Sequence, residues 1–505
     1  MHSDIAVRTP GATALPPARP SSTGTDAAGI LRFVRALEAS PTQEPHGLMV
    51  LRHGQVVTQG WWAPYGPERR HLLYSLSKSF TSAAAGLAVA EGLVGLDDPV
   101  LSYFPEVDAG AADPRTRRML VRHVASMSSG HTRDTYAEAF ADPDVDPVHA
   151  FLRIAPDQEP GTVFAYNQPA TYTLGAIVQR VTGGTLLDYL RPRLLDPLGI
   201  GPVGWQEVPP GRQIAFTGLF APTDAVARLG QLLLQRGRWG DRQLLPEAWV
   251  DAATSVQVGT PQPFGGPGEA EADPDDSDWQ QGYGFQHWMS RHGFRGDGAY
   301  GQFCVVLPEH DAVLAITART PDMQETLDLA WEHLLPAFAG PGSAEADDEL
   351  AAHLAAAALP PLELPATPDD GAWAGTAFAP EGGACAAQPS LTQVRLGSDP
   401  LDDGLRLTLV DHGGDVAAAF EPGGSRWVVS DDDTTGQRTE VPVATSGGFE
   451  SAERLRVQVA FLEAPHRLEL VLDRRAGTFA AQWITEPLRF ATTPLRALAT
   501  PASLG

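Results

Sequence analysis

The spacing of apolar positions changes character several times along the chain. Ala27 to Ala39 puts Ile30, Phe33, Val34 and Leu37 on one face at helical spacing. His46 to Trp62 reads as a hairpin, with Leu48-Met49-Val50-Leu51, a turn at His53-Gly54, and a return from Val56-Val57. Thr81 to Ala90 is almost wholly small and apolar, which predicts a buried helix stopped at Gly92. From about Val100 to Gln280 helical patterns dominate, separated by long loops. Ala170 to Val181 is one helix, ended by Gly183-Gly184, and Thr223-Asp224 caps another through Leu229, Leu232, Leu233 and Leu234 to Gly237. Gly265 to Asp278 is an acidic, Gly/Pro-rich loop expected to be mobile. Strand patterns return at Tyr283–Trp288, Phe294–Gly298, Phe303–Leu307 and Ala312–Thr317, followed by a helix over Asp322–Phe338. Strands from the two ends of this region would form one antiparallel sheet flanked by helices, with a helical insertion between them.

Gly340 to Gly371 shifts to Ala, Pro, Glu and Asp, a linker pattern with one Ala-rich helix. Beyond Trp373 short alternating strands take over. Leu455, Val457, Val459 and Phe461 alternate with Arg456, Gln458 and Ala460, and Leu468, Leu470 and Leu472 repeat the pattern. The expected organisation is a disordered tail over 1–27, an α+β domain over 28–338, a linker over 339–371 and an all-β barrel or sandwich over 372–500. A chain of 505 residues is long for one core, which agrees with two domains.

Charge and composition narrow the function classes. The net charge of -26 argues against nucleic acid or an anionic membrane as a partner. No run approaches the ~20 apolar residues of a membrane span, and the first residues lack a signal-peptide core. A cytoplasmic protein is therefore expected. Cys304 and Cys385 fall in different expected domains and read as free thiols. No Cys/His spacing suggests zinc, so neither metal nor cofactor is expected.

The candidate chemistry begins with one residue. Lys78 is the only lysine in the sequence, and all other side-chain cations of the Lys/Arg class are arginine. Arginine does not give up its proton in a protein, whereas a desolvated lysine does. Ser75 precedes Lys78 by three residues, a spacing that puts both on one helical face within hydrogen-bond reach. The serine would also sit at the start of the buried helix, where unpaired N–H groups favour developing negative charge.

Further landmarks follow Tyr74-Ser75-Leu76-Ser77-Lys78 in order: Glu91-Gly92-Leu93-Val94-Gly95-Leu96-Asp97-Asp98-Pro99, Ser126-Met127-Ser128-Ser129-Gly130, and Pro160-Gly161-Thr162-Val163-Phe164-Ala165-Tyr166-Asn167-Gln168. With these the chain resembles the serine β-lactamase and penicillin-recognising family, in its class C-like esterase and peptidase branch, over residues 28 to 338. The resemblance implies a β-lactamase/transpeptidase-like fold. It also implies Ser75 as acylated nucleophile, Lys78 as its proton acceptor and Tyr166 as proton shuttle. The family's second-motif Asn falls on Gln168. Its third motif, Lys-Thr-Gly, falls on Gly293-Phe294-Arg295, give or take a residue or two, so that Arg295 either supplies the missing cation or points into solvent. The backbone N–H of Gly296 would then join that of Ser75 as an oxyanion hole. Trp61, Trp62 and Tyr65 are candidates for an apolar acyl pocket.

The expected activity is a metal-independent serine hydrolase acting through an acyl-enzyme on a small ester, amide or peptide. Two alternatives stand beside it: a D-amino-acid peptidase or weak β-lactamase, and a catalytically silent binding or sensor protein on the same fold. No Gly-x-Ser-x-Gly elbow supports an α/β-hydrolase. The β-domain carries no chemical motif and is expected to shape or cover the cleft.

Overall fold

The first helical periodicity becomes α1 (Ala27–Ala39), capped by the Asp26 carboxylate, which accepts the Ala28 N–H. Its apolar stripe, Ile30, Phe33, Val34 and Leu37, is buried. The hairpin follows as β1 (Glu44–Arg52) and β2 (Gln55–Trp61), turned by His53 (φ 51°) and Gly54 (φ 73°). Two successive left-handed residues match the twist of the strands they join. The computed structural model describes residues 15–501, apart from 108–112, 261–276, 367–372, 399–403, 432–440 and 489–493.

The central sheet is antiparallel and joins both ends of the N-terminal domain. Helices α2 (Ser77–Ala90), α3 (Gln168–Thr182) and α4 (Thr223–Leu234) come between its early and late strands. The late strands are β3 (Trp288–Met289), β4 (Phe294–Gly298), β5 (Gln302–Leu307) and β6 (Ala312–Arg319). The order is β2-β1-β6-β5-β4-β3, with β1 paired to β6 from Glu44↔Arg319 to Arg52↔Ala312. Small residues let α2 bury nearly its whole length, and Gly92 (φ 70°) follows its end.

Several elements differ from expectation for local reasons. The strand expected over Tyr283–Trp288 shrinks to Trp288–Met289, because Gln286 takes a left-handed backbone (φ 66°). Pro222, not Thr223, precedes the first turn of α4, and the Thr223 hydroxyl instead meets that of Thr317 at 2.9 Å. The helix over Asp322–Phe338 is interrupted by a wide turn at Ala330–Leu334. Most of the expected acidic loop lies outside the described residues, while Ser277 and Asp278 at its end are buried. The expected tail is packed from residue 15 onward: the Ala18 N–H donates to Val56 O, and Arg19 pairs with Asp347 at 3.0 Å. Within the stretch read as a linker, α5 (Ala344–Ala355) buries Leu350 and Leu354 in the N-terminal core. Cys304 and Cys385 are buried free thiols.

A second core belongs to nine C-terminal strands: β7 (Thr376–Pro380), β8 (Leu391–Ser398), β9 (Leu405–Asp411), β10 (Val416–Phe420), β11 (Val428–Ser430), β12 (Val443–Ser451), β13 (Arg454–Phe461), β14 (Arg467–Asp473) and β15 (Thr478–Thr485). Their order is β10-β9-β8-β7-β15-β14-β13-β12-β11. The sheet curls until its edges meet, where Ala419 N donates to Ser430 Oγ (2.8 Å) and Thr445 Oγ1 donates to Ala419 O (2.7 Å). The alternation along β13 and β14 sends Leu455, Val457, Val459, Leu468, Leu470 and Leu472 inward. Leu72, Tyr74 and Phe220 of the N-terminal domain join this second core. The two bodies therefore share apolar surface at the segment that leads into Ser75. Among the described residues no helix is long and apolar enough to cross a membrane.

Candidate active site

Ser75 lies in a 3₁₀ turn (Tyr74–Leu76) that runs directly into α2. The turn is held from both sides. The Leu73 N–H donates to Leu219 O (2.8 Å), and the Leu72 N–H donates to Glu463 O of the β-domain (2.7 Å). Tyr74 has a left-handed backbone (φ 48°), a conformation that bulky residues avoid unless their surroundings impose it. Its side chain shows what imposes it. The ring packs edge-on to Tyr300 and His466, and the hydroxyl donates to His466 Nε2. His466 Nδ1 lies 3.1 Å from Thr485 O and so carries the ring proton, which leaves Nε2 to accept.

Lys78, one turn along α2, is 1% exposed. Its Nζ donates to Ser75 Oγ (2.9 Å) and to Phe216 O (2.9 Å). Burial pushes its pKa from 10.5 down to about 7, against the weaker opposing pull of Asp134 and Asp297. The ammonium also lies 4.6 Å from the centre of the Tyr166 ring. Tyr166 stacks on Trp288 at 5.5 Å, and burial holds its phenol well above the usual range against a weaker opposing pull from the neighbouring Ser75 hydroxyl. Three side chains named from sequence thus converge on one oxygen. The third position of the second motif, Gln168, opens α3. Its N–H donates to Asp134 Oδ1 (3.1 Å), and its buried Oε1 has no hydrogen-bond partner among the described residues. Asn167 between them is buried, and its Oδ1 accepts the Thr135 N–H and hydroxyl, both at 3.0 Å.

The third-motif residues are placed differently from expectation. Arg295 is fully buried and points away from the nucleophile. Its Nε donates to Asp297 Oδ2 (2.9 Å), and NH1 donates to Asp278 O (2.8 Å) and Ser290 Oγ (2.6 Å). It also lies over the Trp279 ring. It is held inside the protein by its pair with Asp297 and presents no exposed cation, although its NH2 has no hydrogen-bond partner among the described residues. Gly296 faces the second turn of α2, where a Cβ would lie 2.2 Å from Ser79 Oγ. The strand residue against the nucleophile is Gly298: a Cβ there would lie 2.1 Å from Leu73 O and 3.1 Å from Ser75 N. Only glycine allows that approach. The strand partner of the Ser75 amide therefore sits at the Gly298 end of β4, not at Gly296.

Trp62 is also placed elsewhere. It is 2% exposed, and its indole N–H donates to Glu38 Oε1 (2.8 Å) on α1. Tyr65 stacks on His46 at 3.7 Å. Both rings are committed to packing partners rather than to an open acyl pocket among the described residues.

Two carboxylates near Lys78 escaped the sequence reading. Asp297 is buried beside Arg295 and Trp288, and burial raises its pKa. Asp134 accepts the N–H groups of Tyr136 and Gln168 through Oδ1, and desolvation raises its pKa as well. The Gly296-Asp297-Gly298 triplet was the available signal for the first. Nothing local marks Asp134.

Comparison with known proteins identifies the family. The Beta-lactamase family model matches residues 35–337. A 6-aminohexanoate-dimer hydrolase from Paenarthrobacter ureafaciens is 25% identical over 300 residues, covering 54% of this chain and 72% of that protein. A lovastatin esterase from Penicillium rubens is 31% identical over 151 residues, covering 25% of this chain and 37% of that protein. Among solved structures, the octameric penicillin-binding protein homologue from Pyrococcus abyssi aligns over 90% of this chain and 98% of its own, at 16% identity and a TM-score of 0.45. The family match spans well over half of the sequence and contains Ser75, Lys78, Tyr166 and Gly298: the chain belongs to the beta-lactamase family and is a hydrolase of that family.

Proposed function

We propose that this hydrolase cleaves an ester or amide through an acyl-enzyme on Ser75. The observation that carries the reading is the 2.9 Å contact between Ser75 Oγ and a buried Lys78 whose pKa is about 7. Near neutrality a large fraction of that amine is unprotonated and able to take the hydroxyl proton. As Oγ forms its bond to the carbonyl carbon, the proton passes to Lys78 Nζ and the carbonyl oxygen gains charge. The close approach of Gly298 to the Ser75 amide supports assigning the oxyanion to the N–H of Ser75 and the strand-end amide beyond Gly298. Tyr166, whose ring centre lies 4.6 Å from Lys78 Nζ, relays the proton from Lys78 to the departing oxygen or nitrogen as its bond to carbon breaks. Water then attacks the ester on Ser75, loses its proton along the same path, and regenerates the hydroxyl. The relatives named for an amide dimer and for an ester support both substrate types. Arg295 is buried in an ion pair, which removes the expected partner for a substrate carboxylate and places β-lactams below simple esters. The reaction is assigned to the cytoplasm.

The test is Ser75→Ala against wild type, read by turnover of p-nitrophenyl esters and by fluorophosphonate labelling located by peptide mass spectrometry. Loss of both in a folded variant is expected. A variant retaining a tenth of the wild-type rate would exclude Ser75 as the nucleophile.

A further inference from the structure

A cavity of about 950 Å³ lies between the two domains; Ser75 is not among its lining residues, but several neighbours of the catalytic side chains are. Tyr74, the residue before Ser75, lines it, as does Thr217, which follows the carbonyl that binds Lys78. Tyr136, whose N–H binds Asp134, lines it too. Tyr166 and its packing partners Trp288 and Tyr283 do not. With the leaving group assigned to the Tyr166 side in the proposed mechanism, the side of Tyr74, Thr217 and Tyr136 is left for the acyl group.

Its chemistry is uneven in an informative way. Val208 from the N-terminal domain and Leu488 from the C-terminal domain are each 42% exposed, and both line the cavity. Large apolar side chains exposed together in a concave site mark a binding surface. Seven lining residues are proline, which makes the walls stiff before any ligand arrives. The walls are also tied down: Tyr172 OH donates to Val208 O (2.6 Å), and Gln206 Nε2 donates to Ala497 O across the domains (2.9 Å). Charge in the lining is lopsided. The lining carries Asp142, Asp144, Asp146 and Glu207 against one guanidinium, Arg496; among the described residues Asp146 alone of these carboxylates pairs with an arginine from outside the lining, Arg212. A carboxylate or phosphate on the bound group would meet that field unfavourably.

We infer that this interdomain cavity is the acyl subsite, and that the enzyme selects esters or amides of a long apolar acyl group carrying no negative charge. The inference rests on Ser75 as nucleophile. It gives the β-domain a direct role, since Leu488 supplies one wall. It also replaces Trp61, Trp62 and Tyr65 as the source of acyl selectivity.

The experiment compares kcat/KM for p-nitrophenyl acetate, octanoate and the octanoate bearing a terminal carboxylate. Wild type, Leu488→Asp and Val208→Asp are assayed on the full chain, with active sites counted by a small fluorophosphonate. Octanoate should exceed acetate by at least about tenfold, the scale of apolar-pocket discrimination, and the terminal carboxylate should erase that advantage. Each variant, acting from a different domain and at an exposed side chain, should lower the octanoate-to-acetate ratio about tenfold. Equal ratios in all three proteins with Ser75 still labelled would overturn the subsite and leave the nucleophile standing. Absence of labelling on Ser75 would instead sink the acyl-enzyme reading itself.

Discussion

Replacing Lys78 by arginine tests the proton chemistry most directly. Arginine keeps the charge and most of the length but cannot serve as a base. Burial lowers the lysine pKa from 10.5 to about 7, which makes its proton on the order of a thousandfold easier to lose. The same burial opposes folding. Between pH 7 and 10.5 the unfolded chain binds the proton and the folded chain does not, so stability rises with pH through that window and the full cost is felt below it. That cost is on the order of 4–5 kcal/mol. Lys78→Met should therefore raise Tm by several degrees while abolishing turnover. Lys78→Arg should be nearly as inactive as Lys78→Ala. The sequence makes the spectroscopy simple, because protein grown on ε-¹³C-lysine carries a single labelled side chain. Its resonance should titrate with a midpoint near 7, in step with the rising limb of fluorophosphonate inactivation. A midpoint above 9.5, or an active arginine variant, would refute Lys78 as the base.

Three further outcomes are expected. Gly298→Ala should cut Ser75 labelling by about 100-fold or more, read by inactivation kinetics, because its methyl would collide with Leu73 O and displace the amide beside Ser75. Arg295→Ala should cost about 3–5 kcal/mol in urea unfolding by leaving Asp297 buried without its partner, and a pure KM effect at unchanged stability would contradict its interior role. Burial holds His466 at about 3, below its unfolded value near 6.5, so the stability it contributes is complete above 6.5 and lost as pH falls toward 3. Denaturation at pH 7 and pH 5 should show this loss, and His466→Gln should reduce the difference between the two.

The chemistry carried by one helix was legible, and the chemistry that depends on distant register was not. Ser75 and Lys78 are three apart on a continuous turn, so their contact follows from geometry that any helix start provides. Tyr166 was found by the order of landmarks, although its position depends on Trp288, more than a hundred residues later. The strand facing the nucleophile lies over two hundred residues from Ser75, and a small error in register exchanges Arg295 for Gly298. Trp62 shows a different limit. An apolar ring near the motif reads correctly as buried, but the sequence does not say that Glu38 receives its N–H. In the β-domain, strict alternation in β13 and β14 reported the inward faces directly, whereas the meeting of β10 with β11 and β12 involves single hydrogen bonds, one accepted by Ser430 and one donated by Thr445.

The left-handed Tyr74 has a consequence for how such a chain could be altered by exchange of parts. Its side chain ends in the second core and its backbone continues into the nucleophile, so the barrel helps set the conformation of the residue beside Ser75. A foreign barrel grafted in its place would have to reproduce the Glu463 carbonyl and the accepting nitrogen of His466 at the same points in space. Without them the graft would fold beside a nucleophile turn that had lost its anchor. The two domains are separable as cores but inherited as one unit, and recombination between relatives is expected to succeed only where the breakpoint carries the turn and its barrel contacts together.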